Sequence, residues 1–551
     1  MNYSLSLSES EENTLLSRPP PVSLEFAEIQ NHEPVSAGTI SPFRSILFPS
    51  ATAPVADERL AAPDFFVDFN LDQLIAAITA GKEEYNLKPF FYVSLRDVDA
   101  ITFRHEIMQD LENASLFGKI QGFAKSMRAM REHLGQAEKL YYKYEKERSF
   151  VDAVESYCDA VNVLVRDLFL TDMKSRGFLA FREYLATYAE SAPFTSLLAR
   201  TKTLKANLAA VKYCLLINGD SVTVRRYNSE VDYSADVAAT FDKFKQGVVK
   251  DHRRKFDISQ ALNSVEAKVL EGVAQLFPDI FLDLDNLCDE YRNYLDEAIS
   301  GFEREVHFYI AYLEYVSIFK RAGLKFCYPE LSRECKAVCD YEGFDVALAS
   351  KCIREHSSVV CNDFYLKGSE RIFVVSGPNQ GGKTTFARTF GQLHYLGSLG
   401  CPVPGREARL FLCDRLFTHF EGEESIKNLR GKLQDDLIRI HDILERATPN
   451  SIIIMNEVFT STTLQDAAFL SEKVLEKLLT LDLLCVWVTF IDELGLFGEQ
   501  TVSMVSTIVP DNPSLRTYKL KRKAADGRSY AMSIAEKYRL TGESLKQRIK
   551  A

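Results

Sequence analysis

The sequence predicts an α+α/β fold in which a long-helix domain precedes an α/β domain. Apolar residues recur at helical spacing from about residue 70 to residue 323, and the pattern then changes to short apolar strands separated by helical stretches. A loop of the form G-x-x-x-x-G-K-T joins one of these strands to a helix. Alternating strands and helices favour a parallel or mixed sheet in the second half of the chain.

Composition limits the class of protein. The chain has 551 residues, of which 46% are hydrophobic and 26% charged, and its net charge is −11 at pH 7. These values are typical of globular proteins and exclude collagen-like, mucin-like and wholly disordered chains. The negative charge also excludes a histone-like coating protein, although a local basic face would still allow phosphate contacts.

The location of the protein is also predicted from composition. No run of 18 apolar residues occurs, and the N-terminus lacks both the basic region and the apolar core of a signal peptide. The 11 cysteines are most simply interpreted as reduced thiols. We therefore expect a cytoplasmic protein that makes no membrane contact.

The first 64 residues are expected to form an irregular arm. They hold eight of the 18 prolines and are otherwise rich in serine, glutamate and alanine. Two interpretations stay open. The arm has no role of its own, or it packs over the body of the protein.

Residues 65–325 are expected to form a helical domain. Apolar residues at spacings of three and four mark the faces through which helices pack. Pro278 is the one internal proline between residues 265 and 322, so we expect a helix on each side of it. One apolar stripe comprises Val151, Val154, Cys158, Val161, Val165 and Leu168, and a second, expected to be helical throughout, comprises Leu284, Leu287, Tyr291, Tyr294 and Ala298.

A β-hairpin is predicted near residues 213–227. Strand-like segments flank Asn218-Gly219-Asp220, and Asn-Gly readily adopts the positive φ angles of a tight hairpin turn. The second strand carries Arg225 and Arg226. A basic run follows, and two interpretations stay open: a solvated helical face, or duplex DNA contact through phosphates. The candidate DNA contacts are Arg225, Arg226, Lys250, Arg253, Arg254 and Lys255.

The strongest chemical signal is the glycine-rich loop, which follows an apolar strand ending at Ser376 and leads into a helix from Thr384. Glycines let backbone N–H groups turn inward around a phosphate, and the helix N-terminus adds its dipole. Lys383 can reach the β- and γ-phosphates, and the Thr384 hydroxyl can ligate Mg²⁺. We therefore expect ATP and Mg²⁺ to bind here. The candidate nucleotide contacts are Gly377, Pro378, Asn379, Gln380, Gly381, Gly382, Lys383, Thr384 and Thr385.

A second apolar strand, residues 452–455, ends in Asn456-Glu457. An acidic pair at such a strand end supports Mg²⁺ and polarises the attacking water. Asn456 can support the metal only through an uncharged amide, whereas Glu457 is the candidate general base and, with Lys383, the candidate catalytic pair. The alternative is that Glu457 only ends the strand.

The ordered set of motifs resembles that of the MutS family, over about residues 344–545. The resemblance implies an ABC-type P-loop ATPase domain over residues 326–551 and a dimer that holds each nucleotide between two subunits. The helices before it are similar in character to the family's core and lever helices. The matching segments are residues 377–385 (family T-G-P-N-M-G-G-K-S-T), 414–418 (D-R-I-F-T), 456–463 (D-E-I-G-R-G-T-S-T), 488–489 (start of A-T-H-[YF]) and 526–531 (late S-Y-G).

Several positions depart from the family pattern. Gly431 stands where the family has its signature serine, Phe490 replaces a histidine, and Asn456 replaces the acidic metal ligand. These changes imply slow or altered hydrolysis. No segment resembles the family's mismatch-reading domain, so direct mismatch recognition is not carried over. Asn362 resembles an asparagine that borders the adenine in the family, and a turn-forming role is its alternative.

The resemblance implies an ATPase that couples nucleotide state to DNA binding, in a repair or recombination role. The alternative is an ATP-gated dimeric scaffold with little hydrolysis that binds a protein partner.

Overall fold

The computed structural model describes residues 43–49, 61–218, 221–230, 233–242, 262–420, 431–509, 512–525, 540 and 542–549. The candidate DNA contacts Lys250, Arg253, Arg254 and Lys255 lie outside these residues, as does most of the expected arm.

The chain forms the following elements. The helices are α1 (Phe65–Asp68), α2 (Leu71–Thr79), α3 (Val98–Leu111), α4 (Ala114–Lys139), α5 (Lys143–Phe169), α6 (Arg176–Glu190), α7 (Ala192–Ala209), α8 (Tyr233–Asp242), α9 (Ser264–Leu276), α10 (Pro278–Glu290), α11 (Glu297–Arg321), α12 (Val346–Arg354), α13 (Lys383–Ser398), α14 (Lys432–Arg446), α15 (Leu464–Leu481) and α16 (Gly542–Ile549). The strands are β1 (Tyr213–Asn218), β2 (Ser221–Arg226), β3 (Phe326–Cys327), β4 (Glu330–Ser332), β5 (Val338–Gly343), β6 (Asn362–Leu366), β7 (Ile372–Ser376), β8 (Val403–Pro404), β9 (Glu407–Phe411), β10 (Leu416–Phe420), β11 (Ile452–Asn456), β12 (Leu484–Val488), β13 (Thr501–Val509) and β14 (Asn512–Arg522).

The described residues divide into two compact units. The first contains Lys119–Leu170 and Arg182–Asp296, and the second contains Arg44–Gly118, Thr171–Phe181 and the residues from Glu297 onward. Residues 65–118 and 297–325 thus group with the sheet-containing unit. The sequence-based division into residues 1–64, 65–325 and 326–551 stays a prediction.

The first unit is built from long amphipathic helices. Helix α5 buries Val151, Val154, Cys158, Val161 and Leu168, so the first apolar stripe lies on its packed face as predicted. One core joins α5 to α7, α9 and α10, because the apolar faces of these helices are covered only when they pack together. Its buried members are Val151, Leu204, Val273, Ala274, Phe281, Leu284 and Leu287.

The second apolar stripe does not form one helix, and that prediction is wrong. Helix α10 ends at Glu290 and α11 begins at Glu297. The chain between them is held by hydrogen bonds to tyrosine hydroxyls: Tyr184 donates to both carboxylate oxygens of Asp296 at 2.8 Å, and the Asp296 N–H donates to Tyr157 at 3.3 Å. The periodicity of apolar residues gives no information about these long-range hydrogen bonds. The expected break at Pro278 is confirmed, since α9 ends at Leu276 and α10 starts at the proline.

The predicted hairpin is confirmed. Strands β1 and β2 pair antiparallel, with Asn218 opposite Ser221 and Tyr213 opposite Arg226.

The second unit contains a six-stranded sheet in the order β10-β11-β12-β7-β13-β14. Neighbouring strands from β10 to β13 are parallel, and only β14 runs antiparallel to its neighbour. Strands β7, β11 and β12 are buried along their whole length, which explains their continuous apolar sequences, because a central parallel strand is covered on both faces. The predicted parallel or mixed sheet is therefore confirmed, and it is a mixed sheet because of β14.

Helix ends in this unit follow local sequence signals. The Thr463 side chain caps α15 by accepting from the Asp466 N–H, and Asp345 caps α12 in the same way through Leu348. Asp482 ends α15 in the left-handed conformation at φ +54°. A second, four-stranded sheet has the order β4-β9-β5-β6.

A short piece of the expected arm packs inside the second unit. Ile46 and Leu47 are fully buried. The Tyr309 hydroxyl donates to the Ile46 carbonyl, and Arg104 Nε donates to the Leu47 carbonyl at 3.1 Å. For residues 45–47, the interpretation of an arm packed over the body is the one that holds.

Across the described parts of the chain, no helix combines the length and apolar character needed to cross a membrane.

Candidate functional site

The glycine-rich loop lies between β7 and α13, at the carboxyl edge of the parallel sheet. Gly377 and Gly382 have φ angles of +116° and +93°, which glycine adopts without strain. Helix α13 starts at Lys383, one residue before the predicted start. The loop is anchored from the neighbouring strand β13, where the buried Ser506 hydroxyl donates to the Gly381 carbonyl at 2.6 Å.

Lys383 points back into the loop. Its Nζ donates to the carbonyl oxygens of Gly377 at 3.0 Å and Pro378 at 3.4 Å, and to Asn379 Oδ1 at 3.3 Å. The ammonium also lies 3.7 Å from a carboxylate oxygen of Glu457, and the Lys383 side chain is only 5% exposed. The cation is thus buried at the centre of a ring of loop oxygens.

The charge of Lys383 is influenced by three neighbours. Burial is the main cause that lowers the pKa of its ammonium, and the nearby Arg516 lowers that pKa further. Glu457 opposes both effects, and Asp492 adds a weaker effect in the same direction.

Thr384 and Asn456 are in direct contact. The Thr384 hydroxyl donates to Asn456 Oδ1 at 2.9 Å. Asn456 is the last residue of β11 and is largely buried. The two side chains predicted to serve a metal ion are therefore adjacent, although β12 lies between β11 and β7.

Glu457 follows β11 in an unusual conformation. Its φ angle is +54°, and its N–H donates to the Val488 carbonyl at 2.9 Å. This bond ties the end of β11 to the end of β12. The left-handed turn directs the carboxylate toward Lys383, and the role of Glu457 as general base stays a prediction.

Strand β14 contributes residues that sequence reasoning missed. Its pairing with β13 shifts between Ser506 and Ile508, which leaves extra residues around Tyr518. Tyr518 has a φ angle of +58°, and its backbone lies over Gly382, where a Cβ would come within 3.6 Å of the Tyr518 carbonyl oxygen. In the same segment, Arg516 Nε donates to the Asn379 carbonyl at 3.2 Å.

Asn362 is hydrogen-bonded to the same segment of β14. Its Nδ2 donates to the Tyr518 carbonyl at 3.1 Å, and its Oδ1 accepts from the Leu520 N–H at 2.8 Å. Lys519 donates to the carbonyl of the preceding Cys361. Asn362 thereby connects β6 to the bulge in β14, and its contact with adenine stays a prediction.

The remaining candidate residues lie around the loop. Thr385 is in the first turn of α13. Gly431 is the residue before α14, and no atom lies within 4 Å of the position its Cβ would occupy. Phe490, two residues beyond the end of β12, is 48% exposed. Trp487 is fully buried in the core beside β11.

The two hairpin arginines belong to the first unit and differ from each other. Arg226 Nε donates to the Leu276 carbonyl at the end of α9 at 3.0 Å, and the guanidinium lies 4.8 Å from the centre of the Phe277 ring. Arg225 is exposed on the other face of β2. Arg226 therefore has a structural partner within the unit.

Residues 373–548 match the family model of MutS domain V. This part of the chain is similar to MutS domain V. Endonuclease MutS2 of Thermus thermophilus is 32% identical over 193 residues, which are 34% of this chain and 25% of that protein. DNA mismatch repair protein MutS of Orientia tsutsugamushi is 26% identical over 216 residues, 38% of this chain and 24% of that protein. Endonuclease MutS2 of Gemmatimonas aurantiaca is 31% identical over 186 residues, 33% and 23% of the two chains.

The chain spans about a quarter of the length of these curated relatives. The sequence-based resemblance to MutS proteins is therefore confirmed for the C-terminal region.

Proposed function

We propose that this protein is an ABC-type ATPase that binds ATP with Mg²⁺ and couples its nucleotide state to DNA binding, in a repair or recombination role. One observation carries the proposal: the side chains of Lys383, Thr384, Asn456 and Glu457 converge on a single glycine-rich loop. Each belongs to a residue type that phosphate, metal or water would require at that point.

The shape of the loop fits a bound phosphate chain. Gly381 has no room for a side chain, because a Cβ there would lie 2.3 Å from Ser506 Oγ and 2.8 Å from the Pro378 carbonyl oxygen. The N-terminus of the 16-residue helix α13 faces the same loop and favours an anion. The Lys383 ammonium is already surrounded by oxygen acceptors, which is the coordination that phosphate oxygens would offer.

The proposed division of labour follows from these positions. Lys383 would neutralise the terminal phosphates, and the Thr384 hydroxyl would bind Mg²⁺, which Asn456 would assist through a bound water. Glu457 would orient and deprotonate the attacking water. Because Lys383 and Glu457 are 3.7 Å apart, we expect nucleotide binding to draw the ammonium away from the carboxylate.

Dimerisation and DNA binding belong to the same proposal. Two of the relatives are named as a DNA mismatch repair protein and an endonuclease, which supports a nucleic-acid substrate for this chain. We propose a homodimer formed through the MutS domain V, with duplex DNA contacted by Arg225, Arg226 and the basic residues Lys250, Arg253, Arg254 and Lys255. The cytoplasmic location stays a prediction.

A second candidate function has its own support. An uncharged Asn456 beside Thr384 offers Mg²⁺ a weaker site than a carboxylate would. The protein would then use ATP to lock a dimeric scaffold that binds a protein partner, with little turnover.

Nucleotide calorimetry and phosphate release separate these possibilities. Lys383→Ala should abolish ATP binding measured by calorimetry, and unchanged affinity would refute the site. Phosphate release that rises with duplex DNA at low salt, and that disappears in Glu457→Ala, would establish the DNA-coupled ATPase. A stable ATP-bound dimer in sedimentation, with no released phosphate, would favour the scaffold.

A further inference from the structure

A guanidinium group from β14 contacts the glycine-rich loop. Arg516 Nε donates to the Asn379 carbonyl at 3.2 Å. The side chain of the same Asn379 accepts from Lys383 Nζ at 3.3 Å. Asn379 therefore lies between two cations, one supplied by α13 and one by the neighbouring strand.

The position of Asn379 indicates which part of a nucleotide lies nearby. In loops of this type the lysine reaches the β- and γ-phosphates, while the hydroxyl that follows it holds the metal. Asn379 is one of the loop residues bonded to the lysine ammonium, so it lies in the part of the loop where the terminal phosphates would bind. A cation bonded to Asn379 lies in that same part.

From this arrangement we infer that Arg516 binds the terminal phosphate of the nucleotide, as an arginine supplied within the same subunit. The inference rests on the proposed ATP site and deepens it, because it assigns the residue that distinguishes a nucleoside triphosphate from a diphosphate. Arginine suits this task, since its planar group forms paired hydrogen bonds to phosphate oxygens and keeps its charge.

The electrostatics of the loop agree with this role. Arg516 and Lys383 both donate hydrogen bonds to Asn379, so their positive charges are close enough to repel each other. A terminal phosphate between them would relieve that repulsion.

The shape of β14 positions Arg516. The register shift opposite Thr507 is stabilised by side-chain bonds: the Thr507 and Thr517 hydroxyls are 2.6 Å apart, and Thr517 donates to the Thr507 carbonyl at 2.8 Å. Asn362 holds the other side of the bulge through Tyr518 and Leu520. Thr517 and Asn362 are thus positioning residues for the segment that carries Arg516.

Calorimetry with Mg-AMPPNP and with Mg-ADP tests the inference on the full chain. Arg516→Gln should weaken AMPPNP binding by about tenfold to a hundredfold, the effect of losing one charge-assisted contact. ADP binding should change by less than about threefold, because the diphosphate lacks the contacted group. Arg516→Lys should recover part of the lost AMPPNP affinity. Thr517→Val should show a smaller loss of affinity that again affects AMPPNP more than ADP.

Lys521→Ala is the matched control, since this exposed cation belongs to β14 beyond the bulge. Its affinities should equal those of the wild type, and thermal melting should show that all variants are folded. An equal loss for both nucleotides, or no loss in Arg516→Gln, would overturn this inference while leaving the proposed ATP site intact. A wild-type protein that binds neither nucleotide would overturn both.

Discussion

The Thr384 hydroxyl donates a 2.9 Å hydrogen bond to the amide oxygen of Asn456. The helix that follows the glycine-rich loop and the end of β11 are thereby joined by an uncharged pair at the proposed metal position. A carboxylate at residue 456 would accept the same hydrogen bond and add a negative charge. The contact thus allows the metal site to be altered without disturbing the fold.

Asn456→Asp should strengthen Mg²⁺ binding. A charged ligand makes stronger contacts with a metal-bound water than an amide does, so the Mg²⁺ concentration at half-maximal phosphate release should fall by about tenfold. Asn450→Asp, at an exposed turn before β11, is the control. The same Mg²⁺ dependence in wild type and in Asn456→Asp would contradict the assignment of Asn456.

Gly381→Ala should disrupt the loop. Its Cβ would lie 2.8 Å from the Pro378 carbonyl oxygen, which belongs to the backbone and cannot rotate away. We expect a loss of about 1–3 kcal/mol in the free energy of unfolding, measured by urea denaturation. We also expect the loss of nucleotide binding, measured by calorimetry.

Gly301→Ala is the matched glycine control for that experiment. Gly301 lies in α11 with no atom within 4 Å of the position of its Cβ. The Gly301→Ala protein should be more stable than the wild type by about 0.5–1 kcal/mol, because alanine is the better helix former. Full nucleotide affinity in Gly381→Ala would show that the crowded loop is not required.

The buried Asp340 should make the second unit less stable as pH rises. It is fully buried in β5, and burial, aided by the charge of Asp363, raises its pKa from 3.8 to about 8. Between these two values the folded protein keeps a proton that the unfolded chain has lost. The free energy of unfolding therefore falls by up to about 1.4 kcal/mol per pH unit in that window.

Asp340→Asn should remove this contribution, because an amide does not titrate. Urea unfolding at pH 5, 6.5 and 8 measures the slope, with the exposed Asp72→Asn of α2 as control. A slope as steep in Asp340→Asn as in wild type would be inconsistent with a protonated Asp340.

Substitutions of the two hairpin arginines should have different effects on stability. Arg226→Ala should cost about 1–2 kcal/mol of stability, because it removes the bond to Leu276 and the contact with Phe277. Arg225→Ala should leave melting unchanged. If the hairpin contacts DNA, Arg225→Ala should weaken duplex binding and reduce the slope of log affinity against log salt concentration by about one. Fluorescence anisotropy at several salt concentrations measures this, and unchanged stability of Arg226→Ala would contradict its structural role.

Local sequence patterns were sufficient to predict many of the helices and strands of this protein. The strands around residues 372–376, 452–456 and 484–488 are uniformly apolar because both faces are covered, so composition identified them. The break at Pro278 follows from the backbone preference of one residue. The break between α10 and α11 was missed because it depends on Tyr157 and Tyr184, more than 100 residues away in sequence.

The sequence by itself determined the glycine-rich loop, its lysine and threonine, and the Asn456-Glu457 strand end, since adjacent residues define each of these. Tertiary structure alone decided that Arg516 reaches Asn379 and that Asn362 holds the bulge in β14. These contacts join segments 137 and 156 residues apart in sequence. They arise from the register shift between β13 and β14, which depends on strand pairing and not on any local residue pattern.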